Sequence, residues 1–499
     1  MELARLCINT GIFVPEEDKT IEIGGICTDS RRVKKGDLFI CIRGLSADGH
    51  DYISDAQKQG AAAILADSRY EGEAEAPLLR VEDTRRGAAL LYDAWYGHPT
   101  KKLKLVAVTG TNGKTSVTFM LRAIFEAAMH RCGLIGTVNC YSAGRKLTIR
   151  SEDPLANMTT PDPSELYQIL AQMVRDGVEY VFMEATSHAL ALSKLDAIRF
   201  SAAVFTNLTP EHLDFHGDME SYFIAKKKLF SMCERAIINV DDAYGRRLLE
   251  DISCPVITCS AGGGPAHYTA TQIRDCGVDG NEYKLVSKNH HFTIRTPIPG
   301  AFNVINTLEA ASAALSLGIS PSAIMAALGT LVGIDGRMER VKLGAITDFS
   351  VFIDYAHTPD ALENLLVAAR KLRKARERVV VVFGCGGDRD KTKRKRMGEI
   401  ASRLADFIIV TSDNSRSEDP MLIIQEIASG IVAGSDYVII PERRRAVEFA
   451  VREAHEDDII LLAGKGHEEY EIDASGKHYF SEREIAAEAA GKYHIPSEF

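Results

Sequence analysis

The sequence predicts an α/β protein of three domains built on parallel or mixed sheets. Three observations support this. The chain has 499 residues, and at about one domain per 150 residues that suggests roughly three domains. Its composition, 45% hydrophobic and 26% charged, is that of a globular chain and excludes a disordered, collagenous or fibrous one. From about Met338 onward, apolar runs of strand length alternate with helical segments, as parallel strands covered on both faces require.

Pattern shifts divide the chain at residues 1–100, 101–337 and 338–499. The first block holds short strand-like runs and Gly/Asp turns, such as GDLFICIRG and HDYISDAQKQGAAAILAD, and ends in a polar connector at Tyr96–Lys102. The second opens with an apolar strand, Leu103–Val108, which feeds a glycine-rich turn and a helix. In the third, VVVVFG, DFIIVTS and DIILLAG are the expected strands. The uncharged stretch Ala310–Ile334 is longer than the 18 or so residues that raise the question of a membrane span. Gly318, Ser320 and Pro321 interrupt it, and Ser-Pro reads as an N-cap followed by a first-turn proline, so two short helices are expected instead.

The charge balance is 59 minus 69, or −10, so no overall positive field gathers nucleic acid or anionic lipid. Ten cysteines without a CxxC pair point to reduced thiols and a cytoplasmic location rather than a disulfide framework or zinc site. The N-terminal residues lack a basic segment followed by an apolar core, so no secretory signal is expected.

The most informative segment is VAVTGTNGKTSVTFMLRAIFEAA. A strand enters a turn made of Gly110, Thr111, Asn112, Gly113, Lys114, Thr115 and Ser116. Val117, Met120, Leu121, Ile124, Phe125 and Ala128 then recur at helical spacing, which puts the turn at a helix N-terminus. Exposed backbone N–H groups, the positive end of the helix and the Lys114 amine converge there on phosphates, and the Thr115 hydroxyl can reach magnesium. The general P-loop pattern has glycine where this chain has Val108, so its functional end is kept and its start is not. ATP with Mg2+ is the expected pairing, on a P-loop ATPase-like central domain.

TGTNGKTS resembles the ATP site of the Mur ligase superfamily. Further strings occur in order: DSRRVKKGDLF, ADGHDYI, MTTPD, MEATSHALAL, TNLTPEHLDFHGDMESYFIAKKKLF, GAFNVINTLEAA, DGRMERV, DYAHTPD, GCGGDRDK, DNSRSEDP and GKGHE. Together they resemble the UDP-N-acetylmuramyl-tripeptide synthetase branch of that superfamily. The resemblance implies ligation of an amino acid to UDP-N-acetylmuramoyl-L-alanyl-D-glutamate through an acyl phosphate, in peptidoglycan precursor synthesis. It also implies Glu184, His212 and Lys226 beside the phosphate site, with Thr115, Glu184, His212 and a carbamylated Lys226 holding metal. Asn303, Asn306, Arg337 and Asp354 would serve ATP. A single histidine is often structural, and three adjacent lysines usually mark a solvated face.

By the same resemblance, Ser30 would contact the uridine nucleotide, with Asp48, Gly49 and His50 as weaker matches, while Thr159, Thr160, Thr186 and Lys194 would meet the peptide. The chain departs from the family pattern here, since Thr186 stands for a serine, Leu192 for a glutamine and Lys194 for an arginine. Lysine lacks the planar fork that grips a carboxylate bidentately. In the Rossmann-like third domain, three loops after apolar strands carry Arg389, Asp413, Asn414, Ser415, Arg416, Gly464 and Glu468 at the strand ends, where open α/β sheets bind ligands. Arg416 suits the distal carboxylate of meso-diaminopimelate and Glu468 its ammonium. Ser415 replaces the usual proline of DNPR. The basic run Lys391–Arg396 reads as a solvated helix start.

The expected partners are small molecules only, with no nucleic acid and no membrane span, and the expected state is a monomer. The lysine-adding ligase, the D-Ala-D-Ala-adding ligase and a nucleotide-binding protein without ligation are the alternatives.

Overall fold

The computed structural model describes residues 1–494 except 45–46, 148–157, 332, 334–335, 345–346 and 373–377. Positions 332 and 334 of the uncharged stretch and Asp335 of DGRMERV therefore lie outside the described residues. Two compact units divide the chain: Met1–Thr118, Met129–Ile238 and Asp242–Ile257 in one, Phe119–Ala128, Asn239–Asp241 and Thr258–Phe499 in the other.

The first unit begins with a parallel four-stranded sheet, β1 (Gly25–Cys27), β2 (Asp37–Ile40), β3 (Ala63–Asp67) and β4 (Leu78–Val81). Between β2 and β3, the segment that reads as strand-like from sequence forms a short helix, α1 (Ile53–Lys58), which buries Ile53 and Ala56. Helix α2 (Thr84–Trp95) is N-capped by Asp83, which accepts from the amides of Arg85 and Arg86. The polar connector is tied down where buried Asp93 accepts from Thr100 Oγ1 at 2.7 Å and meets His98 Nδ1 at 2.8 Å.

Seven neighbouring strands of a larger second sheet follow: β5 (Lys104–Thr109), β6 (Cys132–Ile135), β7 (Cys140–Ser142), β8 (Arg145–Lys146), β9 (Tyr180–Glu184), β10 (Ala202–Phe205) and β11 (Ala236–Asn239), in the order β11-β10-β5-β9-β6-β7-β8. Strand β5 lies parallel between β10 and β9, with Thr109 opposite Phe205 and Val108 opposite Glu184. That register brings three strand ends to one edge. Helix α3 (Lys114–Ala127) starts from the turn after β5, and Val117, Met120, Leu121, Ile124 and Phe125 are all buried as their spacing predicts. Helices α4 (Pro163–Arg175), α5 (Ser187–Ala191), α6 (Leu213–His216) and α7 (Met219–Lys227) complete the framework of the site.

In the second unit, the end of β12 (Val256–Ser260) pairs with β13 (Tyr268–Asp275), which runs antiparallel to β14 (Asn281–Val286), itself antiparallel to β15 (His291–Thr296). The uncharged stretch forms parts of two helices, α8 (Phe302–Ser316) and α9 (Pro321–Thr330), and Ser320 caps α9 by accepting from Ala323 N as expected. Among the described residues no helix is long and apolar enough to cross a membrane.

The last sheet has the order β16 (Glu339–Arg340), β17 (Ser350–Asp354), β21 (Ile459–Ala463), β18 (Val379–Phe383), β19 (Phe407–Val410) and β20 (Tyr437–Ile439), parallel except for β16. A hairpin of β22 (Tyr470–Asp473) and β23 (Gly476–Tyr479) stands beside it in sequence. The apolar runs are continuous because both faces are buried. Val379, Val381, Phe383, Ile408, Leu461 and Ala463 pack on one side with α10 (Pro359–Leu372), α11 (Thr392–Leu404) and α12 (Pro420–Ala428). Val380, Val382, Ile409, Ile460 and Leu462 pack on the other with α13 (Arg443–Arg452) and α14 (Glu482–Tyr493).

Candidate active site

At the carboxyl ends of β5, β9 and β10, the turn after β5 is held open by its glycines and by a network from β10. Gly110 has φ 150°, and a Cβ there would run into Thr206 Oγ1. Asn207 brackets the turn: its carbonyl accepts from Thr111 N at 2.9 Å, its Oδ1 accepts from Asn112 N at 2.9 Å, and its Nδ2 donates to Asn112 O at 3.1 Å. Thr111 Oγ1 exchanges bonds with the Thr209 backbone at 2.9 and 3.1 Å. These bonds consume loop groups on the β10 side and leave a preorganised cradle at the start of α3.

Lys114 folds back onto this turn, donating to Gly110 O at 2.9 Å and Thr111 O at 2.7 Å. Gly110 O accepts a second lysine, Lys226, at 2.7 Å. Lys226 lies on α7, is 1% exposed, and sits 4.6 Å above the Tyr222 ring. Burial first, then the nearby Lys114, holds its amine well below the ordinary lysine value. The AKKKLF run is thus not one solvated face. Lys227 pairs with Asp251 at 2.6 Å, while Lys228 ties down the 190–196 loop through Leu190 O, Ser193 Oγ and Asp196.

Glu184 ends β9 and is almost wholly buried. Its Oε1 accepts from Thr115 Oγ1 at 3.0 Å and Thr137 N at 2.8 Å, and its Oε2 accepts from Thr137 Oγ1 at 3.0 Å. Thr137 Oγ1 lies 3.0 Å from Thr159 Oγ1. Thr160 Oγ1 donates to Glu184 O at 2.8 Å and lies 3.1 Å from Thr186 Oγ1. The phosphate-loop threonine and the predicted peptide-contact threonines are therefore joined in one hydrogen-bonded network through Glu184. Gly136 allows this, since a Cβ there would fall on the Glu184 carboxylate.

His212 takes a left-handed conformation at φ 56° and caps α6 by position. Its ring packs edge-on to His188 at 4.8 Å, and Nε2 is 3.7 Å from Glu211 Oε2. Partial burial, with Lys114 close by, keeps it below the ordinary histidine value. Burial beside His212 and His216 lowers His188 to about 4.

A cavity of about 1250 Å³ lies in the same unit. Ser30, Gly49, Arg85, Tyr52 and Lys194 are among its lining residues. Lys194 is buried and pairs with Asp162 at 2.7 Å. Asp48 and His50 are occupied structurally: Asp48 accepts from His50 N at 3.0 Å, and His50 Nε2 accepts from Asp67 N at 3.0 Å.

In the second unit, the loops after β18, β19 and β21 interlock. Arg416, left-handed at φ 52°, donates through Nη1 to Gly387 O at 2.8 Å and Asn414 O at 3.3 Å. Gly387 N donates to Asn414 O at 2.9 Å. Asn414 Nδ2 donates to Glu468 Oε2 at 2.7 Å. Burial, then Asp413, pushes the Glu468 carboxyl above its usual range. Gly464, at φ 115°, would place a Cβ 2.8 Å from Asp413 Oδ2. Ser415 is buried, and Arg389 is exposed, its guanidinium donating to the adjacent Asp388 O at 3.4 Å.

The basic run is not simply solvated, because Arg394 is fully buried and binds Glu418, Glu426 and Gly386 O, bracing these loops. Asn303 and Asn306 are buried and bonded to each other at 3.1 Å. Asp354 accepts from Met338 N at 2.7 Å and Ala356 N at 2.8 Å, and Arg337 stacks 5.0 Å from the Tyr355 ring.

Family models match the chain over residues 22–96 (Mur ligase family, catalytic domain), 108–314 (Mur ligase middle domain) and 336–466 (Mur ligase, glutamate ligase domain). A relative from Syntrophomonas wolfei, named UDP-N-acetylmuramoyl-L-alanyl-D-glutamate--2,6-diaminopimelate ligase, is 42% identical over 98% of this chain and 99% of its own. The chain belongs to the Mur ligase family. A Gloeobacter violaceus Mur ligase of the same name is 43% identical, covering 99% of this chain and 98% of its own. A solved structure of a ligase so named covers 99% of this chain and 100% of its own at 30% identity and TM-score 0.71. The Mur ligase fold is also shared by a MurF from Acinetobacter baumannii, at 19% identity and TM-score 0.60, covering 92% of this chain and 94% of that one.

Two hard oxygen donors of this Mur ligase, Thr115 Oγ1 and the Glu184 carboxylate, meet 3.0 Å apart beside the phosphate loop. That pair suits magnesium, which keeps several waters and takes one or two carboxylates plus phosphate oxygens. Lys226 offers no oxygen unless converted to a carbamate. Among the described residues no cluster of three His, Cys, Asp or Glu side chains forms a metal cage. Sequence reasoning passed over Thr137, Asn207 and Lys465. Asn207 lies in the TNLTPEHLD string, which could have drawn attention to it; nothing local marks Thr137.

Proposed function

We propose that this chain is an ATP-dependent ligase joining meso-diaminopimelate to UDP-N-acetylmuramoyl-L-alanyl-D-glutamate, acting as a cytoplasmic monomer in peptidoglycan precursor synthesis. The observation that carries this reading is the match to relatives so named over 98–99% of the chain, and the turn at Gly110–Ser116 with Thr115 bonded to Glu184 supports it. Residues 1–100 would bind the uridine nucleotide, 101–337 the ATP and 338–499 the amino acid.

In this reading the γ-phosphate is cradled by Gly110–Ser116 and Lys114. The D-glutamate carboxylate attacks it, forming an acyl phosphate and releasing ADP. The amine of diaminopimelate then attacks the acyl carbon, the amide forms and inorganic phosphate leaves. A free carboxylate is a poor electrophile, so its activation together with positioning accounts for most of the catalysis. Magnesium bound by Thr115 and Glu184 would neutralise charge between the anions. Lys114 swings from its carbonyl partners to phosphate oxygens, and Thr159, Thr160, Thr186 and Lys194 hold the peptide end.

The burial of the Lys226 amine, which holds it well below the ordinary lysine value, supports carbamate formation: once unprotonated, its lone pair would add to carbon dioxide and a proton would be lost, leaving an anionic bidentate oxygen ligand. His212 would stand beside that group. Asn303, Asn306, Arg337 and Asp354 would serve the nucleoside and the transferring phosphoryl group. Arg416 would take the distal carboxylate, with Arg389, Asp413, Asn414, Ser415 and Gly464 shaping its loops and Glu468 taking the ammonium.

The test is ADP release and product mass with the UDP-muramyl dipeptide plus either diaminopimelate or L-lysine. A diaminopimelate-containing product and little with lysine is expected. Preference for lysine overturns the substrate assignment, and ATP turnover that needs neither substrate overturns the ligase.

A further inference from the structure

The loop after β21 buries a lysine that the mechanism above leaves unused. Lys465 is 0% exposed, and its Nζ donates to Asn414 Oδ1 at 3.0 Å and Tyr470 O at 2.8 Å while lying 3.7 Å from Asp413 Oδ1. A lysine enclosed this completely is costly unless every donor has a partner. One of the three partners of Lys465, the Asn414 side-chain amide, is shared with a second donor. Ile472 N also donates to Asn414 Oδ1, at 2.9 Å. An oxygen that receives two N–H donors fixes which end of the amide faces them. The other end, Nδ2, is thereby turned onto Glu468 Oε2 at 2.7 Å.

We propose that Lys465 is a positioning residue for amino-acid binding: it locks the Asn414 amide so that Asn414 in turn holds the Glu468 carboxylate in place for the incoming ammonium group. This rests on the reading of Asn414 and Glu468 as amino-acid contacts. Lys465 itself is 0% exposed, with its amine 5.4 Å from the Phe480 ring, so it acts through Asn414. A second consequence is electrostatic. Burial and then Asp413 raise the Glu468 carboxyl, while Lys465, Asn414 and Tyr470 lower it, with Tyr355 also close. Removing Lys465 removes one of the lowering influences, so Glu468 ionises at higher pH.

The test compares full-length wild type, Lys465→Met, Asn414→Ala and the double variant, by KM for diaminopimelate, ATP and the UDP-muramyl dipeptide, and by the pH profile of kcat/KM for diaminopimelate. Lys465→Met should raise the diaminopimelate KM about tenfold or more, the usual scale for a lost bond to a charged group, and leave the ATP KM within about twofold. The acidic limb should move to higher pH, and the double variant should bind diaminopimelate no worse than Asn414→Ala within about twofold. Equal rises for all three substrates, an unmoved acidic limb, or multiplicative losses in the double variant would overturn the proposal. Should Lys465→Met fail to fold, Lys465→Gln keeps one donor in the slot. It should give the same selective loss at about threefold, and an unselective loss overturns the idea equally. Wild type that makes no diaminopimelate product refutes the ligase reading as well; normal ligation with an unaffected Lys465→Met refutes this inference alone.

Discussion

Replacing Glu184 separates charge from packing. In Glu184→Gln the amide oxygen can keep the donors Thr115 Oγ1 and Thr137 N, now at 3.0 and 2.8 Å, while the new NH2 donates to Thr137 Oγ1, which turns to accept. Each bond to a charged acceptor becomes a neutral one, for a total cost of about 1–2 kcal/mol, partly offset because no charge remains buried. Glu184→Ala instead strands one amide and two hydroxyls in a buried site. At about 1–3 kcal/mol for each unsatisfied group, less what the rotatable hydroxyls recover, it should cost about 3–6 kcal/mol. Thermal unfolding should therefore rank the variants wild type, Gln, Ala, with Gln much nearer wild type. Ligation should fall about 100-fold in Glu184→Gln, the effect of about 3 kcal/mol of lost cation-mediated stabilisation. A Gln variant with kcat near that of wild type would refute the role of the charge, and one as unstable as Ala would refute the network.

Lys226→Ala should lose most ligation and regain part of it with acetate or propionate, which can occupy the place of a carbamate; an unimpaired variant removes the carbamate from the mechanism. Arg416→Ala should raise the diaminopimelate KM about tenfold or more and leave ATP nearly unchanged, and equal effects on both would contradict the selectivity assignment. Glu418 is held at about 2, below the ordinary 4.5, by Arg394, Lys391 and Asp388 N. Its contribution to stability is thus complete above the unfolded value and lost as pH falls toward 2. Glu418→Gln should differ from wild type in unfolding temperature above pH 4.5 and converge with it near pH 2; a constant difference would reject the linkage.

What the sequence made legible was contiguous. Gly110–Ser116 could be read because the turn, the lysine and the helix behind them are consecutive, and VVVVFG and DIILLAG could be read because burial on both faces leaves no polar alternation. Lys226 could be singled out only by resemblance, since burial alone separates it from Lys227 and Lys228. Arg394 sits in a run that reads as solvated, and only the acidic residues Glu418 and Glu426, distant in sequence, show why it is enclosed. Thr137 and Lys465 act through partners 47 and 51 residues away, a separation that no local pattern encodes. Helix α1 reads as strand-like in the sequence because its two buried residues, Ile53 and Ala56, are too few to set a helical period.

Ligation by this route requires a carboxylate activated by a triphosphate seated at Gly110–Thr115. The direct measurement uses UDP-muramyl dipeptide whose D-glutamate side-chain carboxylate carries heavy oxygen, with ATP and diaminopimelate, and follows the label into the released inorganic phosphate. One labelled oxygen per phosphate is the predicted result. Unlabelled phosphate alongside normal amide formation would contradict the acyl phosphate and the mechanism built on it.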